Sequence, residues 1–148
     1  MATLFDKTTQ ETMLNRLNAL TASSTRRWGK MSVSQMLKHL EIAFSVPIEK
    51  IKVPKEALYY VSANPLTRWL MIDVASKWPK NLVTAASFKV ENDPDFESTK
   101  QALTQTIQAF LQAKEYNGVH PVFGKMDKEI WGKAMYLHLN HHLEQFGV

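Results

Sequence analysis

The sequence predicts an all-α fold built as a helical bundle, and two observations support this prediction. Apolar residues recur at intervals of three and four positions along several stretches, which is the period of an amphipathic helix. Helix-capping residues and prolines stand where these stretches begin or end, whereas convincing strand patterns are scarce. A chain of 148 residues suits a single domain, 1–148, that can bury one core.

The first two predicted helices lie in the N-terminal third of the chain. The first covers about residues 7 to 20, where apolar side chains recur at helical spacing. The second begins near Ser32 or Ser34, either of which can cap it. It ends near Val46, because Pro47 cannot continue a helix.

The middle of the chain is less regular. Residues 48 to 63 fit either a turn of helix or a short extended piece. Asn64 and Pro65 then form a typical helix start, with Asn64 as N-cap and Pro65 in the first helical position. This helix is expected to end before Pro79, and a short strand is expected at Ala86–Val90.

Two further long helices complete the prediction. The Asp-Pro pair at 93–94 starts a helix of about five turns, and Gly118 ends it. The connector His-Pro-Val-Phe-Gly at 120–124 leads to Asp127, which caps a last helix that reaches about Phe146. Four predicted helices are long enough to form a bundle: the first, the second, the one from 93–94 and the last.

The composition argues against several function classes. The net charge of +4 comes from 18 basic and 14 acidic residues, with no basic run longer than Arg26-Arg27, so a mixed solvated surface is favoured over a nucleic-acid-binding stripe. The chain has no cysteine, so any metal must bind to His, Asp, Glu or water. The longest apolar stretch, Trp69–Ala75, is too short to span a bilayer. Because the N-terminus lacks the pattern of a signal peptide, we expect a cytoplasmic protein. The scattered basic residues and the short apolar stretch predict neither a nucleic-acid nor a membrane partner.

Three of the five histidines lie close together in the last predicted helix. On a wheel of roughly 100° per residue, His138 and His142 fall about 20° on either side of Trp131, at the centre of the inward face. His141 lies at the edge of that face, roughly 80° away. Side chains four positions apart stack on one side of a helix, so the rings of His138 and His142 can bind one metal ion together.

A third inward histidine, His39, lies in the second predicted helix among Met36, Ile42, Ala43 and Val46. Three imidazoles from two helices would leave coordination positions open for water or substrate, which is the pattern of a catalytic metal site. The structural alternative is that these histidines are hydrogen-bonded core residues, or that those in the last helical turns interact with the helix dipole.

These residues resemble the metal-site pattern of the DinB (DinB/YfiT-like) superfamily. The matching positions are the spacing His138-x-x-x-His142-x-x-Gln145 and the inward His39. The chain also resembles an uncharacterised subfamily within it, through Arg-Trp-Gly-Lys-Met at 27–31, His-Pro-x-Phe-Gly at 120–124 and His-His-Leu-x-Gln-Phe-Gly at 141–147. The resemblance extends over nearly the whole chain.

The resemblance implies a DinB-like four-helix bundle of up-down-down-up topology with an additional short helix. It implies a divalent metal, with Zn or Ni the first choices, bound by His39, His138 and His142. The implied function is that of a metal-dependent enzyme, either a thiol-dependent S-transferase or a hydrolase, that acts on a small-molecule substrate. A low-molecular-weight thiol would come as cosubstrate because the chain has no cysteine, and a homodimer is a further expectation.

Two more residues are candidate catalytic groups. Gln145 follows His142 by three positions and can orient a ligand or a bound water. His120, in the connector before the last helix, can serve as an acid, a base or an extra metal ligand, or can be a loop residue without such a role. A second function class also stays open, namely a metal-free helical-bundle module for binding or stress response without catalysis.

Overall fold

The computed structural model describes residues 2–148, and within them the chain is mostly helical with one two-stranded hairpin. The four long helices are α1 (Lys7–Ala19), α2 (Val33–Ser45), α5 (Phe96–Gln112) and α6 (Lys128–Gln145). Two short helices, α3 (Tyr59–Ser62) and α4 (Pro65–Arg68), lie between α2 and α5, and α4 continues as a π-helical turn, Trp69–Val74. The mainly helical fold class is thereby confirmed.

Three helix starts that were predicted from capping residues agree with the structure. Ser32 caps α2 in a capping box, because its hydroxyl accepts from the Gln35 amide while the Gln35 side chain accepts from the Ser32 amide. Asn64 caps α4 with Pro65 in the first turn, and the Asp127 carboxylate accepts from the Ile130 amide at the start of α6. These caps depend on residues three positions apart, which is why the sequence alone locates them.

Two predicted elements are wrong in detail. The expected strand at Ala86–Val90 is instead a 3-10 turn, Ala86–Phe88. The Glu56 carboxylate accepts from the amide and the hydroxyl of Ser87 at 3.0 and 2.6 Å, so a side chain from the preceding loop takes the place of a strand partner. The helix expected from 93–94 has the predicted length of about five turns as α5, 17 residues, but Asp95 caps it and it ends at Gln112 instead of near Gly118.

The connector before α6 forms a hairpin that the sequence prediction missed. Strand β1 (Val119–His120) pairs antiparallel with β2 (Gly124–Lys125), and Gly124 has the positive φ of 78° that glycine adopts readily. Two residues per strand are too few to give an alternating pattern in the sequence. The hairpin holds His120 beside the helices.

The core lies between the long helices. α2 packs mainly against α5, and α6 packs against α1, α2 and the π-helical turn. The inward side chains of these helices are almost fully buried, among them Leu17, Met36, Phe44, Ile107, Phe110, Trp131 and Leu143. Asn140, on the side of α6 away from the histidines, is also buried, because Arg16 of α1 donates to its side-chain oxygen at 2.7 Å.

The segment from Leu58 to Val83 differs from the rest of the molecule in its burial. Within it only Ser62 and Ile72 are buried, whereas several large apolar side chains are exposed. None of the helices within residues 2–148 combines the length and the apolar character that crossing a bilayer demands.

Candidate metal centre

Three histidines from two helices meet inside the protein. His39 of α2 and His138 and His142 of α6 are 3%, 7% and 6% exposed, and their potential ligand atoms all lie within 4.8 Å of one another. The ring centroids are 4.8 Å apart for His39 and His138, 4.8 Å for His39 and His142, and 5.0 Å for His138 and His142. The structure thus brings together the three residues that the helical wheels placed inward.

A main-chain carbonyl orients the ring of His39. Its Nδ1 lies 2.9 Å from the carbonyl oxygen of Phe88, which can only accept, so Nδ1 carries the proton and donates. In the neutral ring the lone pair is then on Nε2, and this atom lies 2.8 Å from Nε2 of His138. The 3-10 turn at Ala86–Phe88 therefore sets the tautomer of a candidate metal ligand.

A second chain of hydrogen bonds orients His142. The Gln145 amide nitrogen donates to the carbonyl oxygen of Trp28 at 2.8 Å, which fixes the direction of the amide. Its Oε1 then faces Nδ1 of His142 at 2.8 Å and accepts the proton of that nitrogen. His142, like His39, keeps its lone pair on Nε2, and Gln145 acts on the site through His142 as a positioning residue.

Burial lowers the pKa of all three histidines, that of His39 below its usual value and those of His138 and His142 well below it. Neighbouring imidazoles lower the pKa values further, because a charge on one ring disfavours a charge on the next. The Phe88 carbonyl and the Gln145 side chain act in the opposite direction on His39 and His142, with a smaller effect. All three rings are therefore neutral near pH 7, which is the form that donates a lone pair to a metal.

The donor set fits a divalent transition metal. Two nitrogens that each bind Zn²⁺ at about 2.0–2.1 Å lie at most about 4.2 Å apart, so small ring rotations bring all three ligand atoms into range. Two of the rings already present Nε2 lone pairs, and their Nδ1 atoms donate to fixed acceptors, as ligand histidines in metal sites do. Three imidazoles suit Zn, Ni, Cu and Fe.

A cavity of about 340 Å³ lies against the three rings. The helices contribute the imidazoles of His39, His138, His141 and His142, and the opposite wall comes from the segment between α2 and α5 and from the hairpin. The lining residues of that wall include Leu58, Ser62, Thr67, Met71, Trp78, Leu82, Phe88, His120, Val122 and Phe123. The candidate metal centre therefore has room beside it for a small molecule.

His120 lines the same cavity but is outside the ligand group. Its Nδ1 accepts from the amides of Val122 and Phe123, both at 3.0 Å, so the proton of the neutral ring is on Nε2. Burial lowers the pKa of His120 to about 3. This arrangement favours a hydrogen-bond donor over a general base.

Several contributors to the site have no signal in the sequence. His39 contacts the main-chain carbonyl of Phe88, so the type of residue at position 88 gives no indication of this contact. The ring of Trp78 lies 5.3 Å from that of His138, and its Nε1 donates to the Met71 carbonyl oxygen at 2.9 Å. Trp78 and Met71 lie in the irregular segment, where neither residue follows a period that would indicate an inward side chain.

These features define a mainly helical protein with a buried three-histidine cluster beside a cavity. The chain belongs to the family described as Protein of unknown function (DUF1569), whose model matches residues 4–147. Comparisons with curated proteins and with solved structures found no match.

Proposed function

We propose that this protein is a metal-dependent enzyme of the DinB type that binds a divalent metal, Zn or Ni, through His39, His138 and His142. One observation carries the proposal: the ligand atoms of three buried, neutral imidazoles converge on the wall of a cavity. A structural metal site has its coordination sphere closed by protein ligands, whereas three ligands beside open space leave a position for substrate.

The reaction class in this proposal is a thiol-dependent S-transfer or a hydrolysis. When bound, a divalent ion supplies Lewis-acid chemistry and favours the deprotonated form of a thiol or of water near neutral pH. The thiol would be a low-molecular-weight cosubstrate, because the chain has no cysteine. Action on a small molecule agrees with a cavity of about 340 Å³, which is in the range of small-molecule sites.

The chain's own residues have distinct roles in the proposal. The Phe88 carbonyl and Gln145 hold the rings of His39 and His142 in the ligand tautomer. His120 directs its Nε2–H group as a donor to a polar atom of the substrate, since its Nδ1 is held by two main-chain amides. Trp78 and Phe123 exclude bulk water from the cavity, which strengthens polar interactions inside it.

The proposal extends to the arrangement of the whole protein. The helices α1, α2, α5 and α6 would form a four-helix bundle of up-down-down-up topology, with α3 and α4 as additional short helices. A homodimer in the cytoplasm is part of the same proposal. The bundle topology and the homodimer rest on the resemblance to the DinB superfamily.

A specific hydrogen bond favours a second candidate function, that of a metal-free binding module. In the absence of an ion, Nε2 of His138 carries a proton and donates to Nε2 of His39 across 2.8 Å, which gives each of these two buried nitrogens a partner without a metal. The cavity would then bind a ligand without catalysis. The two functions differ in one measurable property, the metal content.

The metal content of protein purified without a polyhistidine tag tests the proposal. After dialysis against zinc or nickel, we expect near-stoichiometric metal in the wild type and background levels in His138→Ala and His142→Ala. His141→Ala is the matched control, because His141 lines the same cavity beside His142 but is outside the ligand group. Equal metal content in His141→Ala and His138→Ala, or none in the wild type, would contradict the metal site.

A further inference from the structure

The cavity beside the three histidines has an unusual lining for an enzyme that would handle charged cosubstrates. Among residues 2–148, those that line it include no lysine, arginine, aspartate or glutamate. Aromatic and aliphatic side chains form most of the surface, chiefly Met71, Trp78, Leu82, Phe88, Val122 and Phe123. An ionic group that entered this space away from the three histidines would lose its hydration without gaining a charged side chain as partner.

The three cations of the segment from Leu58 to Val83 are engaged elsewhere. A guanidinium nitrogen of Arg68 donates to the carbonyl oxygen of Lys125 at 2.9 Å, and Lys77 forms an ion pair with Glu144 at 2.9 Å. The ammonium group of Lys80 lies over the ring of Trp28, 4.7 Å from its centroid. None of the three side chains is part of the cavity lining, so none provides a site for an anion inside the cavity.

The polar groups of the cavity are neutral and few. The Ser62 hydroxyl donates to the carbonyl oxygens of Leu58 and Val122, and the Thr67 hydroxyl accepts from the side-chain amide of Asn64. The remaining hydroxyl and imidazole groups of the lining are those of Thr84 and of the five histidines. One polar end of a ligand would meet these rings, and its remainder would contact hydrocarbon and aromatic faces.

The volume limits the size of the ligand. A dry cavity of about 150 Å³ accepts one benzene molecule, so about 340 Å³ suits a compound of roughly two or three rings or the equivalent aliphatic bulk. We propose that the substrate of this site is an uncharged, largely apolar molecule of that size with one polar group directed to the histidines. The role of this molecule as a substrate rests on the proposed function, whereas its apolar and uncharged character rests on the cavity lining alone.

A matched pair of fluorescent probes tests the ligand class. N-phenyl-1-naphthylamine and 8-anilino-1-naphthalenesulfonate share one aromatic frame, and the second carries an additional sulfonate. We expect chelator-treated protein to bind the neutral probe at least about 10-fold more tightly, because without a metal ion the sulfonate would be desolvated without a charged partner. Equal or tighter binding of the sulfonate would overturn the proposal.

Two substitutions in the same segment place the binding in this cavity. Leu82 lines the cavity and is 42% exposed, whereas Val74 is 54% exposed and does not line it, so both positions tolerate a charge on the surface. Leu82→Glu is expected to weaken binding of the neutral probe about 10-fold or more, and Val74→Glu to leave it unchanged. Equal effects of the two substitutions would mean that the probe binds elsewhere, against the proposal.

The same samples separate this inference from the proposed function. Both probes are titrated against metal-loaded protein and against protein treated with a chelator, and the metal content is measured in each. Selective binding of the neutral probe without any metal uptake would sustain the ligand class and overturn the enzyme proposal. Metal uptake together with equal binding of the two probes to chelator-treated protein would sustain the metal site and overturn the ligand class.

Discussion

At the scale of single residues, two acceptors outside the three-histidine cluster set the tautomers of two of its rings. The Phe88 carbonyl and the Gln145 side chain each accept the Nδ1 proton of one ring and leave its Nε2 with a lone pair. Only Gln145 is accessible to mutation, since the other acceptor is a main-chain atom. Its amide is itself fixed by the carbonyl oxygen of Trp28.

Replacing Gln145 is expected to weaken metal binding without removing a ligand. Gln145→Leu keeps the bulk of the side chain but loses the acceptor for His142, so the zinc affinity should fall about 10- to 100-fold, as for other residues that support metal ligands. Competition with a chromophoric chelator measures this change. Gln145→Glu keeps an acceptor for His142 but loses the donor to the Trp28 carbonyl oxygen, so it should restore only part of the affinity.

The control for this substitution is Gln101→Leu on the exposed side of α5. Its chelator competition curve should coincide with that of the wild type. If Gln145→Leu also coincided with the wild type, the hydrogen bond to His142 would have no role in metal binding.

At the scale of elements, the hairpin carries His120 and is attached to the end of α2 by a close main-chain contact. The Gly118 amide donates to the Pro47 carbonyl oxygen at 3.1 Å, and a Cβ atom on Gly118 would lie 1.9 Å from the carbonyl oxygen of Val46. No side chain fits there without movement of the main chain. Glycine is required at position 118 by the close approach to Val46 and Pro47. The sequence had instead predicted that Gly118 ends a helix.

Gly118→Ala is expected to destabilise the protein by about 1–3 kcal/mol, because the clash involves main-chain atoms that cannot rotate away. Urea denaturation followed by circular dichroism measures the free energy of unfolding. Asn117→Ala next to it serves as control, since Asn117 is exposed and contacts only Glu115 through a side-chain hydrogen bond. A loss within about 0.5 kcal/mol for both variants would contradict the close contact.

At the scale of the whole molecule, the buried histidines make stability depend on pH. Burial holds their pKa values below the usual value near 6.5, so in the folded protein they stay neutral at pH values where the unfolded chain binds protons. Because the unfolded state binds more protons, the free energy of unfolding decreases as the pH falls below about 6.5. The lowered carboxyl pKa values, as of Asp6 and Glu144, add a further loss only near and below about pH 4.5.

We therefore expect chelator-treated protein to lose stability steadily between pH 7 and pH 5. Each histidine that stays neutral contributes roughly 1.4 kcal/mol per pH unit once the pH is below its unfolded value. Denaturation curves at several pH values measure the slope. His120→Asn keeps an acceptor for the amides of Val122 and Phe123 but removes one titrating group. The slope of its free energy of unfolding against pH should therefore be lower by the contribution of one proton, roughly 1.4 kcal/mol per pH unit.

An unchanged slope in His120→Asn would show that His120 is protonated in the folded protein. That result would contradict a pKa lowered to about 3 and would restore the role of acid for this residue. The comparison uses the slope and not the absolute stability, so a general destabilisation by the substitution does not affect it.

The sequence by itself determined the long helices, most of their caps and the inward direction of His39, His138 and His142. These features depend on spacings of three or four positions, over which a helix repeats its faces. Where the chain has no such period, as in the strand expected at Ala86–Val90 and the end of α5, the prediction was wrong.

Only the tertiary structure decided that the three histidines meet, which tautomers they adopt and that an uncharged cavity lies beside them. His39 contacts Phe88 and His138, which are 49 and 99 positions away along the chain. Such contacts depend on how helices and loops pack, and one of them uses a main-chain carbonyl that every residue type possesses. Local periodicity carries no information about either, which is the physical reason why the site could be suspected from the sequence but not built from it.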